Sequence, residues 1–141
     1  SEVMVNTTEP LFLDGVRNEN KKVVLATVHQ QFVDGIAQAN IPLTYKDVEL
    51  EHIEQWLSKG FSVLLLISTY SFDGKKSPHW VCVTHLDEHC VYVHDPFCEP
   101  GNDKQLAIDC QYVPIARSDF SKMSAFGSQR LRTAVAIANK I

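Results

Sequence analysis

The chain lacks the features that mark several common functional classes. It has no cysteine before Cys82 and no Cys-x-x-Cys pair, which argues against a structural zinc site. No basic cluster exceeds Lys21-Lys22 or Lys75-Lys76, and the net charge is -4, so a nucleic-acid partner is not expected. No glycine-rich loop is present to hold a phosphate.

Long apolar runs are also missing. The longest, Phe61–Ile67, is far too short to span a bilayer, and Ser1–Met4 does not resemble a signal peptide, so no membrane partner is expected. The chain has 141 residues, of which 45% are hydrophobic, enough for a core without disulfides. We therefore expect its four scattered cysteines to be reduced and the protein to be cytoplasmic.

Hydrophobic periodicity predicts two helices in the first half of the chain. One begins after Asn18, a good N-cap, and carries a stripe of apolar residues at four-residue spacing, Val24, Val28, Phe32 and Ile36. The second covers Glu49–Ser58 and ends at Gly60. A short helix, Phe120–Ala125, is predicted near the end.

Strand patterns dominate the second half. Apart from an opening strand at Glu2–Thr7, the predicted strands are Phe61–Ser68, Trp80–Leu86, Cys90–Asp95, one within Ile108–Ile115, and Arg130–Ala138. Two helices followed by a run of strands are typical of an α+β domain with a mostly antiparallel sheet. We interpret residues 1–141 as one domain.

The most informative pair of residues is His79 and Asp95, at the two outer ends of the predicted hairpin. Opposed residues in an antiparallel pair have numbers with a constant sum, so these two share a face only if that sum is even. A three-residue turn, at either Leu86–Glu88 or Asp87–His89, satisfies this condition. A two-residue turn would place the pair on opposite faces.

A histidine oriented by a carboxylate is the base half of a nucleophilic hydrolase site. The simpler alternative is a chance pairing at the rim, because Asp-Pro is a common way to leave a strand. A metal site is not expected, because the nearby His and Cys residues, Cys82, His85, His89, Cys90 and His94, straddle both faces of the hairpin. No cofactor is expected either.

The nucleophile is harder to find than the base. Cys82 and Cys90 lie within predicted strands, and Cys110 lies in an ambiguous segment. Cys98, in a loop three residues past Asp95, is the nearest candidate, but none of the four follows a turn into a predicted helix, where a thiol is readily activated. A self-contained hydrolase that uses Cys98 or a nearby serine stays an alternative.

Five segments carry a family resemblance: Glu9–Arg17, Leu66–Tyr70, Lys76–Val81, Val91–Pro96 and Asp109–Gln111. With them the chain resembles the papain-like peptidases that process bacteriocin leader peptides, cysteine peptidase family 39, and is most similar to a bacterial peptidase-like branch of that family. The resemblance implies a papain-like fold, a peptide substrate and a cysteine–histidine–aspartate site. It implies that His79 is the general base and that Asp95 orients it.

The family's nucleophile stands in a Cys-Gly-Pro motif at the start of a helix, and this sequence contains no such motif. The resemblance therefore implies that residues 1–141 form the C-terminal half of a larger domain, inactive alone, with the nucleophile upstream of Ser1. We expect the missing N-terminal segment as its partner, and otherwise a second copy that covers the exposed sheet. The alternative is a non-catalytic peptide-binding module with a peptidase-like fold.

Overall fold

The computed structural model describes residues 1–70, 74–97 and 106–139. In these ranges there are three α-helices and seven β-strands. The helices are α1 (Glu19–Gln38), α2 (Leu50–Ser58) and α3 (Arg117–Met123). The strands are β1 (Glu2–Val5), β2 (Leu43–Tyr45), β3 (Phe61–Ser68), β4 (Pro78–Leu86), β5 (Cys90–His94), β6 (Val113–Ala116) and β7 (Thr133–Ala138).

The seven strands form one sheet in the order β2-β1-β7-β3-β4-β5-β6. Only β1 and β2 run parallel, and every other neighbouring pair is antiparallel. The predicted α+β class with a mostly antiparallel sheet is therefore confirmed.

The two faces of the sheet are covered differently. The core face carries alternate residues of the strands, such as Leu65, Val81 and Val93, and packs against Ile53 of α2 and Phe120 of α3. Each of these strand residues is almost fully buried, which contributes roughly 1.5–3 kcal/mol per side chain. This packing fixes which face each residue of the hairpin occupies.

The opposite side, here called the outer face, has a smaller apolar cluster. Leu66 and Leu131 are buried there, and Leu11 and Phe12 of the loop after β1 pack onto them. This loop therefore covers part of the outer face. Because Leu65 and Leu66 are both buried, β3 is covered on both faces, as its nearly continuous apolar sequence favours.

Helix α1 begins where the sequence predicts, but its apolar stripe is largely uncovered. The Asn18 side chain accepts a hydrogen bond from the Lys21 N–H at 3.1 Å, as an N-cap does. However, Val24 is 62% exposed and Phe32 is 69% exposed, and no residue of α1 is buried. The expectation that a second copy covers exposed apolar surface stays a prediction.

Several expected boundaries change in the last third, including the start of β7, which is Thr133 rather than Arg130. Ala107–Cys110 is a 3₁₀ helix, at whose start the Leu106 N–H donates to the Asp109 carboxylate. Only the end of the predicted Ile108–Ile115 segment is therefore a strand. Helix α3 also starts three residues before Phe120.

Strand β6 is the last strand on one side of the sheet, and its Pro114 lies opposite Tyr92 of β5. None of the described helices has both the length and the hydropathy of a membrane-spanning segment.

Candidate functional site

His79 and Asp95 meet at one end of the sheet. His79 is the second residue of β4 and pairs with Ile67 of β3, so its side chain projects from the core face. Its Nε2 lies 2.7 Å from Oδ1 of Asp95, which directly follows β5. The two side chains are 22% and 32% exposed, so the pair is partly shielded but open to an incoming group.

The two ring nitrogens of His79 have different roles. Nε2 faces a carboxylate oxygen, which only accepts, so the proton of the neutral ring belongs on Nε2. Nδ1 has no hydrogen-bond partner in the part of the chain that the structure describes. Any proton that the ring takes up or returns therefore passes through Nδ1.

The carboxylate of Asp95 is itself held in place. The Phe97 N–H donates to the same Oδ1 at 2.8 Å, and the Asp95 N–H donates to the Cys110 carbonyl at 2.8 Å. Pro96 between them has a fixed φ, which favours this Asx turn. The Asp-Pro dipeptide that leaves β5 thus also orients the carboxylate toward His79.

The hairpin does not have the three-residue turn that the sequence analysis required. The Asp87 N–H donates to the Cys90 carbonyl at 3.0 Å, which encloses only two residues. The paired Leu86 and Val91 accordingly have numbers with an odd sum, which by itself would separate His79 from Asp95.

A β-bulge restores the site. The register shifts between Val83 and His85, and beyond it Val83 pairs with Val93, whose numbers have an even sum. Thr84 is the extra residue, and its hydroxyl donates to the Tyr92 carbonyl at 3.2 Å. The bulge is therefore what puts His79 and Asp95 on the same face of a hairpin with a two-residue turn.

Core packing explains why a bulge replaces the longer turn. With a three-residue turn at Asp87–His89 and no bulge, His85 would oppose Val91 on the core face, and Leu86 would point outward. In the structure Leu86 opposes Val91 and packs against the core, while His85 is exposed. Burying an apolar side chain in place of an imidazole favours the bulged arrangement.

The turn is organised by the carboxylate of Asp87. It accepts the Tyr92 hydroxyl at 2.7 Å and the N–H groups of His89 and Cys90 at 2.8 and 2.7 Å. These bonds, that of Tyr92 foremost, lower the pKa of Asp87 to about 2. The same carboxylate raises the pKa of Tyr92 to about 12.

The three described cysteines are thiols, and two of them lie away from the ring of His79. Cys82 pairs with Leu64, so it projects from the outer face, and burial raises its pKa, which disfavours the thiolate. Cys90 is five residues before Asp95 along an extended strand, a separation of about 17 Å.

Cys110 lies closer to the pair but faces another group. Its buried Sγ donates to the Phe97 carbonyl at 3.5 Å. Cys98 lies outside the described residues. The predicted pairing of His79 with Asp95 is thus present, and no described thiol is hydrogen-bonded to the ring.

The other histidines of the hairpin serve local contacts. His85 stacks on the ring of Tyr92 at 5.8 Å, and His94 Nδ1 accepts the Tyr112 N–H at 3.2 Å. Over the described ranges no three His, Cys, Asp or Glu side chains are grouped as metal ligands.

Sequence reasoning missed the Phe97 amide, Cys110 and the bulge at Thr84. Of these three features, only the Phe97 amide could have been found from the sequence, because Asp-Pro is a recognisable turn signal directly before it.

One comparison with known proteins gives a match. A family model described as a Peptidase_C39-like family matches residues 1–138, a range that includes both members of the pair. No curated protein and no solved structure matches the chain.

Proposed function

This chain belongs to the Peptidase_C39-like family, and from that premise we propose that it carries the histidine–aspartate half of a papain-like cysteine peptidase site. The observation that carries the proposal is the bond from His79 Nε2 to Asp95, which leaves Nδ1 without a hydrogen-bond partner among the described residues. A carboxylate behind the ring and an unbonded nitrogen in front of it are the arrangement that a general base requires.

In the proposed reaction, Nδ1 of His79 takes the proton of a thiol that approaches from the open side. The resulting thiolate attacks the carbonyl carbon of a peptide bond, and a C–S bond forms. As the C–N bond breaks, the imidazolium returns the proton to the leaving amine. Water, deprotonated by the same nitrogen, then releases the acyl group from sulfur. Asp95 holds the ring and stabilises its charged form throughout.

The thiol is proposed to come from outside residues 1–141. The argument rests on the placement of the described thiols: Cys82 is on the other face, Cys90 is at the far end of the strand, and Cys110 donates to a carbonyl. On this proposal the α+β unit is one half of a papain-like domain and is inactive alone. Its substrate is a peptide, and its compartment is the cytoplasm, where the thiol stays reduced.

The test uses the full gene product that contains residues 1–141. It is alkylated with iodoacetamide at pH 6, and the rate at each cysteine is read by mass spectrometry. A free thiol with a pKa near 8.5 is about 0.3% thiolate at this pH, whereas a thiolate paired with an imidazolium is almost fully formed. We expect one cysteine outside residues 1–141 to react several-fold faster than a free thiol, because its full ionisation outweighs the lower nucleophilicity of such a thiolate.

His79→Ala should abolish that excess rate, and His85→Ala, at an exposed histidine of the same strand, should leave it unchanged. If no cysteine reacts faster than a free thiol, the proposal is refuted, and the non-catalytic peptide-binding module takes its place. If the fast cysteine is Cys98, the self-contained hydrolase replaces the half-site.

A further inference from the structure

The orienting carboxylate of the pair is held by a turn, and we propose that Cys110 is a positioning residue that sets the geometry of that turn through its thiol. Its role rests on the proposed function only in that Asp95 is taken as the residue that orients the base. The proposal assigns Cys110 no contact with substrate and no covalent chemistry.

Cys110 contacts both ends of the turn. Its carbonyl accepts the N–H of Asp95 at 2.8 Å, and its thiol donates to the carbonyl of Phe97 at 3.5 Å. Phe97 in turn donates its N–H to Oδ1 of Asp95, the oxygen that His79 also contacts. A displacement of Phe97 is therefore transmitted to the oxygen that holds the ring.

The platform that carries Cys110 is a rigid local unit. The Asp109 carboxylate accepts the Leu106 N–H at 2.8 Å and the Gln111 N–H donates to the Ile108 carbonyl at 3.1 Å, which closes the 3₁₀ helix on both sides. Just beyond it, Tyr112 has a φ of 52°, a left-handed conformation that is unfavourable for a non-glycine residue. Such strain persists only where the surroundings determine the conformation.

The thiol and the carbonyl of Cys110 make separable contributions. Every residue at this position supplies the carbonyl, but only a side chain with a donor can replace the bond from the thiol of Cys110, which is 5% exposed, to the Phe97 carbonyl. A serine retains a donor, and an alanine of similar small volume does not. Comparing these two variants therefore tests what a side-chain donor at this position contributes.

The experiment uses the ¹⁵N-labelled chain, residues 1–141, and needs no activity. NMR reads the two ring nitrogens of His79, which report the tautomer, and the exchange rate of its Nε2 proton with water. Asp95→Ala gives the reference for a ring without its partner. Cys82→Ala, at a half-buried thiol on the outer face, is the matched control.

We expect Cys110→Ala to speed exchange of the Nε2 proton by roughly two- to fivefold, because loss of a weak thiol donor loosens the turn that holds Asp95. Cys110→Ser should return the rate to within about twofold of the parent, since a hydroxyl also donates. Cys82→Ala should leave it unchanged. The backbone spectrum of each variant establishes that the chain is folded.

Equal rates in Cys110→Ala and the parent would overturn the proposal, and so would a serine variant no better than the alanine variant. Should the alanine variant fail to fold, Cys110→Val, which fills the site without a donor, replaces it in the comparison with serine. Because the NMR signals arise from the pair itself, they remain informative even if no reactive thiol is found elsewhere. Failure of the proposed function and failure of this inference are thus distinguishable.

Discussion

The coupling between His79 and Asp95 can be measured as a free energy without any assay of turnover. The perturbation is a double-mutant cycle: His79→Ala, Asp95→Ala, and the two combined. Each single variant removes one partner of the 2.7 Å contact, and the combined variant removes both. If the contact stabilises the fold, the sum of the losses in unfolding free energy of the two single variants exceeds the loss in the combined variant.

The structure sets the size of the coupling. A hydrogen bond to a charged group contributes about 1.5–3 kcal/mol when shielded from water. The two side chains are 22% and 32% exposed, so solvent weakens the contact, and we expect a coupling of about 1 kcal/mol. With a urea dependence of about 2 kcal/mol/M, this corresponds to a displacement of roughly 0.5 M between the observed and the additive midpoints.

The assay is urea unfolding followed by tryptophan fluorescence at a single pH. The control cycle combines Asp95→Ala with His85→Ala, because His85 pairs with Tyr92, three residues before Asp95 and about 10 Å away along the strand, and points from the opposite face. That cycle should be additive. A coupling for His79 and Asp95 below about 0.3 kcal/mol, which is the error of additivity, would refute the claim that the contact stabilises the protein.

Three further predictions concern backbone geometry and the hairpin turn. Gly127→Ala should lower the urea midpoint more than Gly60→Ala does. Both glycines have a φ above 70°, but only at Gly127 does the new Cβ come within 3.3 Å of an Asp14 oxygen. Equal losses in the two variants would contradict this. Asp87, with a pKa of about 2 in the fold, contributes stability above pH 4 that is lost as the pH falls toward 2. In urea unfolding at pH 6, 4, 3 and 2, the midpoint of Asp87→Asn should fall less between pH 4 and pH 2 than the midpoint of the parent does. An equal fall in the two proteins would show that Asp87 is not the source of the lost stability. Deleting Thr84 removes the bulge and also shortens β4 by one residue, so the pairs Val83–Val93 and His85–Tyr92 become consecutive in a regular ladder. His79 and Asp95 then stay on the same face, and their coupling should be unchanged. Loss of the coupling would show that the bulge itself is required.

The sequence predicted the fold class because its periodic segments are long and unambiguous. Phe61–Ser68 is a nearly continuous apolar run and the stripe from Val24 to Ile36 follows the helical period, and both form the expected element. The sequence could not predict that the stripe is exposed. Periodicity identifies which side of a helix is apolar, but it does not identify what covers that side.

The contact between His79 and Asp95 was predicted from the sequence, but the register that produces it was not. The spacing of His79 and Asp95 led to the requirement of an even sum, and that requirement holds in the structure. The bulge that meets it is decided by tertiary packing, which places Leu86 rather than His85 against the core. A local sequence pattern cannot predict whether Leu86 or His85 is buried, because the outcome depends on core partners from α2 and the neighbouring strands.

The proline in β6 has a consequence for how copies of this chain meet one another. β6 lies at one margin of the sheet, and Pro114 has no N–H to offer an approaching backbone. The opposite margin is β2, only three residues long. Growth of the sheet by recruiting strands from other molecules, the route to fibrils, is therefore disfavoured at both margins.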